Sequence, residues 1–171
     1  ENGFGIPWAI LMDPTERCNL HCTGCWAGAY QRGRELSLET MDRICTEGHE
    51  LGIEFYVISG GEPTVRMNDI FTLAERHPDQ TFHLFTNGTL LTEEMGRRIV
   101  ELGNITLAFS VEGLEEETDA RRGKGVFQKV VRNMEMLRDM GALFGFSVTY
   151  TRSNTEVMGS DEFIDFMIDK G

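Results

Sequence analysis

Short apolar runs alternate along the chain with longer segments in which apolar residues recur every three or four positions. Short runs rich in β-branched or aromatic residues indicate strands, and the longer spacing indicates amphipathic helices. Because each short run is apolar over most of its length, we expect buried strands in a parallel sheet. The five predicted strands are Trp8–Met12, Glu54–Ile58, Thr81–Phe85, Ile105–Ser110 and Leu143–Tyr150.

Five amphipathic helices are predicted between and after these strands. Serine or threonine stands at three of the starts, where its oxygen can cap free N–H groups, and glycine follows three of the ends. The acidic run Glu115–Glu117 is interpreted as a solvated loop or helix start. The predicted helices run from Ser37 to about Leu51, from Asn68 or Asp69 to about Arg76, from Thr92 to Gly103, over Val126–Met140 and over Ser160–Lys170.

The chain has the length of one domain, and no low-complexity linker or sequence repeat divides it. The alternation ends after the fifth helix, where another strand would be expected. We therefore interpret residues 1–171 as one α/β domain that stops after its fifth strand–helix unit, without a sixth strand or a C-terminal module.

Polar and glycine-rich segments follow each predicted strand. In a parallel sheet, the loops that leave the carboxyl ends of the strands lie along one rim, where ligands bind. We therefore expect one site at this rim, built from all five loops. The loops are the cysteine-rich segment after the first strand, Ser59–Pro63, Thr86–Gly88, Ser110–Gly113 and Thr149–Thr151.

Three cysteines, Cys18, Cys22 and Cys25, have the spacing C-x3-C-x2-C. Thiolates are soft ligands that suit iron–sulfur clusters or zinc, and a structural zinc site requires four protein ligands. Cys45 and His21 are the possible fourth ligands, although Cys45 shares the apolar face of the first helix and fits a small buried residue better. Without a fourth ligand, a 4Fe-4S cluster would keep one iron open to a small molecule.

Composition excludes several other classes of function. The formal net charge of −12, with no basic block, argues against nucleic acid or an anionic membrane as a partner. No run approaches the roughly 20 apolar residues of a membrane span, and the first ten residues do not resemble a signal peptide. Cysteines crowded in one loop indicate metal or redox chemistry in a reducing cytoplasm.

The cysteine spacing, followed by Gly60–Gly61–Glu62–Pro63 after the second strand, closely resembles the radical S-adenosylmethionine (SAM) enzymes. The segments Phe109–Gly113, Asp119-x-x-Arg122–Gly123 and Thr151-x-x-Asn154 are similar to the branch of that family that often carries a C-terminal SPASM or twitch domain. The resemblance spans nearly the whole chain. It implies a partial (β/α)6 TIM-like barrel, truncated after the fifth unit.

The resemblance implies that a 4Fe-4S cluster on Cys18, Cys22 and Cys25 reductively cleaves SAM. The resulting 5′-deoxyadenosyl radical would abstract hydrogen from a peptide, a protein side chain or a cofactor precursor. A ferredoxin or flavodoxin is the usual electron donor of such enzymes. Two alternatives stay open: an iron–sulfur electron-transfer or cluster-carrier protein with Cys45 as fourth ligand, and a zinc-binding structural module.

The resemblance also implies contacts with SAM. The SAM amino group would be bound by backbone carbonyl oxygens of the segment Gly60, Gly61, Glu62 and Pro63 and by the side-chain carboxylate of Glu62. Ser110 and Arg122 would hold its carboxylate, because guanidinium offers a fork to carboxylate. The remaining expected contacts are Asn87 and Glu112 toward the ribose or the cluster and Thr149 toward the adenine. The residue before the third cysteine is commonly aromatic in that family but is Gly24 here, and Trp26, directly after Cys25, is expected to shield the cluster if the adenine is contacted by backbone alone. The sequence identifies no catalytic residue beyond the cluster and the SAM site.

Overall fold

The computed structural model describes residues 3, 5–29 and 33–171. Five strands form one sheet in the order β1-β2-β3-β4-β5, and all neighbours are parallel. This order is that of the wall of a partial barrel, so the predicted α/β fold is confirmed; no sixth strand occurs among the described residues. The strands are β1 Ala9–Met12, β2 Phe55–Ile58, β3 Thr81–Thr86, β4 Ile105–Val111 and β5 Phe144–Val148.

The five predicted helices are confirmed, and the described residues form two more. Short 3-10 turns occur at Trp26–Ala29 and Pro63–Arg66. No helix in the described part of the chain is long and apolar enough to cross a membrane. The helices are α1 Leu38–Glu50, α2 Met67–Arg76, α3 Glu93–Leu102, α4 Glu115–Arg122, α5 Val126–Asp139, α6 Thr155–Met158 and α7 Asp161–Lys170.

Helix α4 was expected to be only a loop or a helix start. It buries only Thr118, so its sequence lacks the apolar spacing by which the other helices are recognised. Acidic residues fill its first turn, and Arg121 and Arg122 fill its last turn. This distribution of charge complements the helix dipole and stabilises a helix that has almost no apolar face.

The capping residues predicted from the sequence act as caps. The side chains of Ser37, Thr92 and Ser160 each accept a hydrogen bond from the backbone N–H three residues later. Gly103 ends α3 with φ of 73°, in the left-handed region that favours glycine. These local signals therefore fix where the helices begin and end.

The hydrophobic core lies between the sheet and its helices. Tyr56, Phe82 and Phe109 are fully buried on the helix side of the sheet, facing residues such as Leu73 and Leu137. The other face of the sheet is more open. The helix side thus carries the stability of the fold and leaves the loops at the strand ends free for other roles.

Cys45 belongs to this core. Its carbonyl oxygen accepts hydrogen bonds from Tyr56 Oη at 3.2 Å and from Gln80 Nε2 at 2.8 Å, near the amino ends of β2 and β3. Burial raises the pKa of its thiol to about 12, so the thiol stays neutral. It therefore lies at the rim opposite the other cysteines and is not positioned to act as their fourth ligand.

The contact between α1 and β2 depends on a glycine. A Cβ on Gly48 would lie 2.0 Å from Tyr56 Oη, and Tyr56 is fully buried and cannot move away. We expect Gly48→Ala to lower the free energy of unfolding, because overpacking of about 1–3 kcal/mol exceeds the gain of about 1 kcal/mol in helix propensity. Urea unfolding measures the effect.

The control is Gly145→Ala, because nothing lies within 4 Å of a Cβ at that position. Adding Tyr56→Phe removes the hydroxyl that the new methyl group meets. The double variant should therefore lose less stability than the sum of the two single variants. Strict additivity would contradict the steric explanation.

Candidate functional site

Residues from the carboxyl ends of all five strands line one cavity of about 200 Å³. The expected convergence of the five loops is therefore observed. Pro63 and Glu112 are the two predicted site residues that do not line this cavity. The predicted residues that do line it are Cys18, Cys22, Cys25, Trp26, Gly60, Gly61, Glu62, Asn87, Ser110, Arg122 and Thr149.

The cysteine segment after β1 is held by contacts of its own backbone. Cys25 N donates to Cys22 O at 3.3 Å, and Leu20 N donates to Cys18 Sγ at 3.4 Å. All three cysteines are partly exposed. They present three soft donors to the same cavity.

The loop after β2 lies directly against the segment that precedes Cys18. Gly61 N donates to Thr15 O, and Glu62 N donates to Arg17 O, both at 2.8 Å. A Cβ on Gly61 would lie 2.2 Å from Arg17 O, inside any allowed contact distance. Glycine at this position is therefore required for the close approach of the two backbones.

Glu62 is 1% exposed, and its carboxylate is held by four donors. Oε1 accepts from Thr64 N at 3.0 Å, from Thr64 Oγ1 at 2.5 Å and from Thr86 Oγ1 at 2.6 Å. Oε2 accepts from Asn87 N at 2.7 Å. The carboxylate thus ties the loop after β2 to the loop after β3, a role that the sequence analysis missed.

Asn87 connects the loop after β3 to the cysteine segment. Its Nδ2 donates to Asn19 Oδ1 at 2.9 Å and lies 3.9 Å from Cys18 Sγ. Asn19 in turn donates to Thr89 Oγ1 at 2.8 Å. The loops after β1, β2 and β3 therefore form one hydrogen-bonded unit around the cavity.

Arg122 reaches the cavity from the end of α4, with Glu112 beside it. Its Nε and Nη2 donate to Glu112 Oε1 at 3.0 and 2.5 Å. These contacts use one edge of the guanidinium, and no acceptor among the described residues contacts Nη1. The other edge, formed by Nη1 and the second N–H of Nη2, therefore retains donors for a carboxylate.

A second cavity of about 460 Å³ adjoins the first and shares Arg121 and Thr149 with it. Gly24 and Glu112 also line it. Nothing lies within 4 Å of a Cβ at Gly24, so this glycine leaves open space in the second cavity. Trp26 lines the first cavity instead and is 62% exposed.

Arg121 and Asn154 are site residues to which the sequence analysis gave no role. Asn154 is 3% exposed and donates through Nδ2 to Glu112 O and Thr149 O, each at 2.9 Å. Its Oδ1 accepts from Thr151 N at 2.7 Å. Only its place in the quoted Thr151-x-x-Asn154 segment pointed to it, since burial of a lone asparagine cannot be read from the sequence.

Burial and charge act in opposite directions on the thiols. Burial raises the pKa of Cys18 and of Cys22. The guanidinium groups of Arg122 and Arg121 lower the pKa of Cys22 and offset part of this effect. The pKa of both thiols stays raised, so at Cys22 the arginines only reduce the cost of forming thiolate, the form that binds metals.

The donors fit an iron–sulfur cluster better than a single zinc ion. Over residues 3, 5–29 and 33–171, no three His, Cys, Asp or Glu side chains lie close enough together to hold one metal ion. The three thiols instead surround a cavity, which suits a cluster of several iron atoms.

The chain resembles known proteins over most of its length. A family model described as the radical SAM superfamily matches residues 12–159. The chain is 33% identical over 170 residues to mycofactocin maturase MftC of Mycolicibacterium smegmatis, covering 95% of this chain and 42% of that protein. It is 32% identical over 150 residues to Fe-coproporphyrin III synthase of Methanosarcina barkeri, and this match covers 85% of this chain and 37% of that protein. The chain thus spans less than half the length of these relatives.

Solved structures share the fold at lower identity. SuiB of Streptococcus suis bound to S-adenosylmethionine is 21% identical, with a TM-score of 0.83 over 96% of this chain and 39% of that chain. SuiB bound to the precursor peptide SuiA is 22% identical, with a TM-score of 0.81 over 96% of this chain and 37% of that chain. At this identity the similarity shows that the fold is shared.

The hydrogen bonds of Glu62 lead to a stability prediction. Glu62→Gln keeps the shape but replaces one acceptor oxygen by an NH2 donor, which leaves at least one of the four donors unpaired. We expect the free energy of unfolding to fall by about 1–3 kcal/mol, measured by urea unfolding. Glu50→Gln at an exposed position is the control and should have no measurable effect. Equal stability of the two variants would contradict the tethering role.

Proposed function

The chain belongs to the radical SAM superfamily, and from that premise we propose that it starts radical chemistry on a peptide or a cofactor precursor, with a 4Fe-4S cluster and SAM as cofactors. The observation that carries the proposal is the shared cavity. Three thiols line it, together with acceptor oxygens that suit an ammonium group and hydrogen-bond donors that suit a carboxylate. These are the two charged groups of an amino acid.

The cysteines account for the cluster. Cys18, Cys22 and Cys25 would hold three irons, and with Cys45 buried at the opposite rim the fourth iron would be open to SAM. When bound, the cluster and SAM would together supply one-electron cleavage of SAM and removal of a hydrogen atom from the substrate. A site that uses Cys45 as fourth ligand, as a cluster carrier would, is not supported.

The loop after β2 offers acceptors for the SAM ammonium group. The carbonyl oxygens of Gly60 and Gly61 accept no hydrogen bond from the described residues, and Glu62 Oε2 accepts only one. The other oxygen of this carboxylate, Oε1, accepts three hydrogen bonds, so Oε2 retains the capacity to accept another. Pro63 begins the 3-10 turn away from the cavity, and we propose that it supports the loop without touching SAM.

Groups on β4 and α4 suit the SAM carboxylate. We propose that Ser110 and the unoccupied edge of Arg122 bind it from the side of the cavity opposite Glu62. Asn87 is proposed to face the cluster, and Thr149 to lie near the adenine, beside the space at Gly24. The predicted contact of Glu112 with the ribose stays a prediction, since its carboxylate is engaged by arginines.

The relatives support a peptide or a cofactor precursor as the substrate. One relative is named a mycofactocin maturase and another an Fe-coproporphyrin III synthase, and SuiB was solved with a precursor peptide. We propose a ferredoxin or a flavodoxin as the electron donor and the reducing cytoplasm as the location, because the site requires free thiols.

Product analysis tests the proposal. After reconstitution of the protein with iron and sulfide without oxygen, addition of dithionite and SAM should give 5′-deoxyadenosine, measured by chromatography. Cys18→Ala should lose the cluster and this product, because a ligand is removed. Cys45→Ala is the matched control and should keep both. A full cluster that yields no 5′-deoxyadenosine would overturn the proposal.

A second prediction concerns Arg122. Replacing it by alanine removes charge-assisted hydrogen bonds, so we expect the Kd for SAM to rise by about 10–100-fold. Equilibrium dialysis measures Kd, and iron analysis should show a cluster content equal to that of the unmodified protein. Loss of iron in Arg122→Ala would assign the residue to the cluster loop and contradict the proposed contact.

A further inference from the structure

Glu112 and Arg121 both line the second cavity, and neither is among the groups proposed above to bind the ammonium or the carboxylate of SAM. Glu112 follows β4 directly, and its side chain is 2% exposed. Arg121 lies at the end of α4 and is 20% exposed. A buried carboxylate is costly unless it is paired, so its partners indicate why the fold retains it.

Arg121 is hydrogen-bonded to both backbone polar groups of one residue in the cysteine segment. Thr23 N donates to Arg121 O at 2.8 Å, and Arg121 Nε donates to Thr23 O at 3.2 Å. Thr23 lies between Cys22 and Cys25, so this contact holds the centre of the metal-binding loop. Arg121 also donates through Nη1 to Glu112 Oε1.

Glu112 therefore contacts two arginines with different neighbours. Its Oε1 accepts from Arg121, which holds the cysteine segment, and from Arg122, which faces the cavity. Without the carboxylate, two adjacent guanidinium groups would repel each other in a partly buried position. One oxygen atom thus fixes the direction of both side chains.

On the basis of the proposed function, we propose that Glu112 is a positioning residue that links the cluster loop to the SAM carboxylate site. By contacting Arg122, Glu112 orients the free edge of that guanidinium toward the SAM carboxylate. Through Arg121 it holds Thr23, and with it the spacing between Cys22 and Cys25. In this role Glu112 contacts neither the cluster nor the carboxylate of SAM.

Each branch of this linkage has its own measurement. The first is the ratio of the Kd for decarboxylated SAM to the Kd for SAM, which reports recognition of the carboxylate. The second is the rate at which the reconstituted cluster releases iron to a chelator without SAM, which reports the hold on the cysteine segment. A general loss of stability would not change the Kd ratio.

Three variants should give three different patterns. Arg122→Ala should lower the Kd ratio by about 10-fold or more and leave iron release unchanged. Arg121→Gln should speed iron release about fivefold, as expected for a lost hydrogen bond, and leave the ratio within about twofold. Glu112→Gln should change both readouts, because it serves both arginines. Arg132→Gln and Glu50→Gln, at exposed positions, are the controls.

The outcomes separate this inference from the proposed function. If the unmodified protein binds neither iron nor SAM, the proposed function fails. If it binds both but Glu112→Gln changes one readout or none, the linkage is wrong.

If Glu112→Gln does not fold, the linkage can still be tested through its two arginines. Arg121→Gln and Arg122→Ala can be combined, which leaves the buried carboxylate without a cation. The double variant should then lose more thermal stability than the sum of the single variants. Additive losses would overturn a shared role of Glu112.

Discussion

The buried carboxylate of Glu62 is the interaction on which the site depends. Four donors from the loops after β2 and β3 satisfy it, which is why a charge can stay in a position that is almost closed to water. The same loop sets Gly61 against the backbone before Cys18. The position of the thiols relative to the β3 loop therefore follows from a polar network beneath the cavity and not from the hydrophobic core.

Much of the fold could be predicted because its signals are local. Buried parallel strands are apolar throughout, and the caps at Ser37, Thr92 and Ser160 mark helix starts whatever surrounds them. Helix α4 could not be recognised, because its stability comes from the arrangement of charges and from its contacts with the cysteine segment. Convergence of the loops followed from topology alone, since every parallel strand ends at the same rim.

The roles of individual site residues were harder to predict. Glu62 and Glu112 are both acidic residues in loops after strands, yet one accepts four bonds from neutral donors and the other holds two arginines. The sequence places them at the rim but carries no information on which groups meet their oxygens. Likewise, Arg121 and Arg122 are adjacent, and only their three-dimensional neighbours distinguish the one on Thr23 from the one that faces the cavity.

The backbone contact at Gly61 limits how such a site can vary during evolution. A Cβ there would lie 2.2 Å from Arg17 O, so the two loops touch without any side chain between them. Their spacing is set by the number of residues in each loop. Apart from Gly61 and Glu62, side chains in these loops can therefore change without breaking this backbone contact, whereas inserting or deleting one residue would move the thiols away from the groups across the cavity.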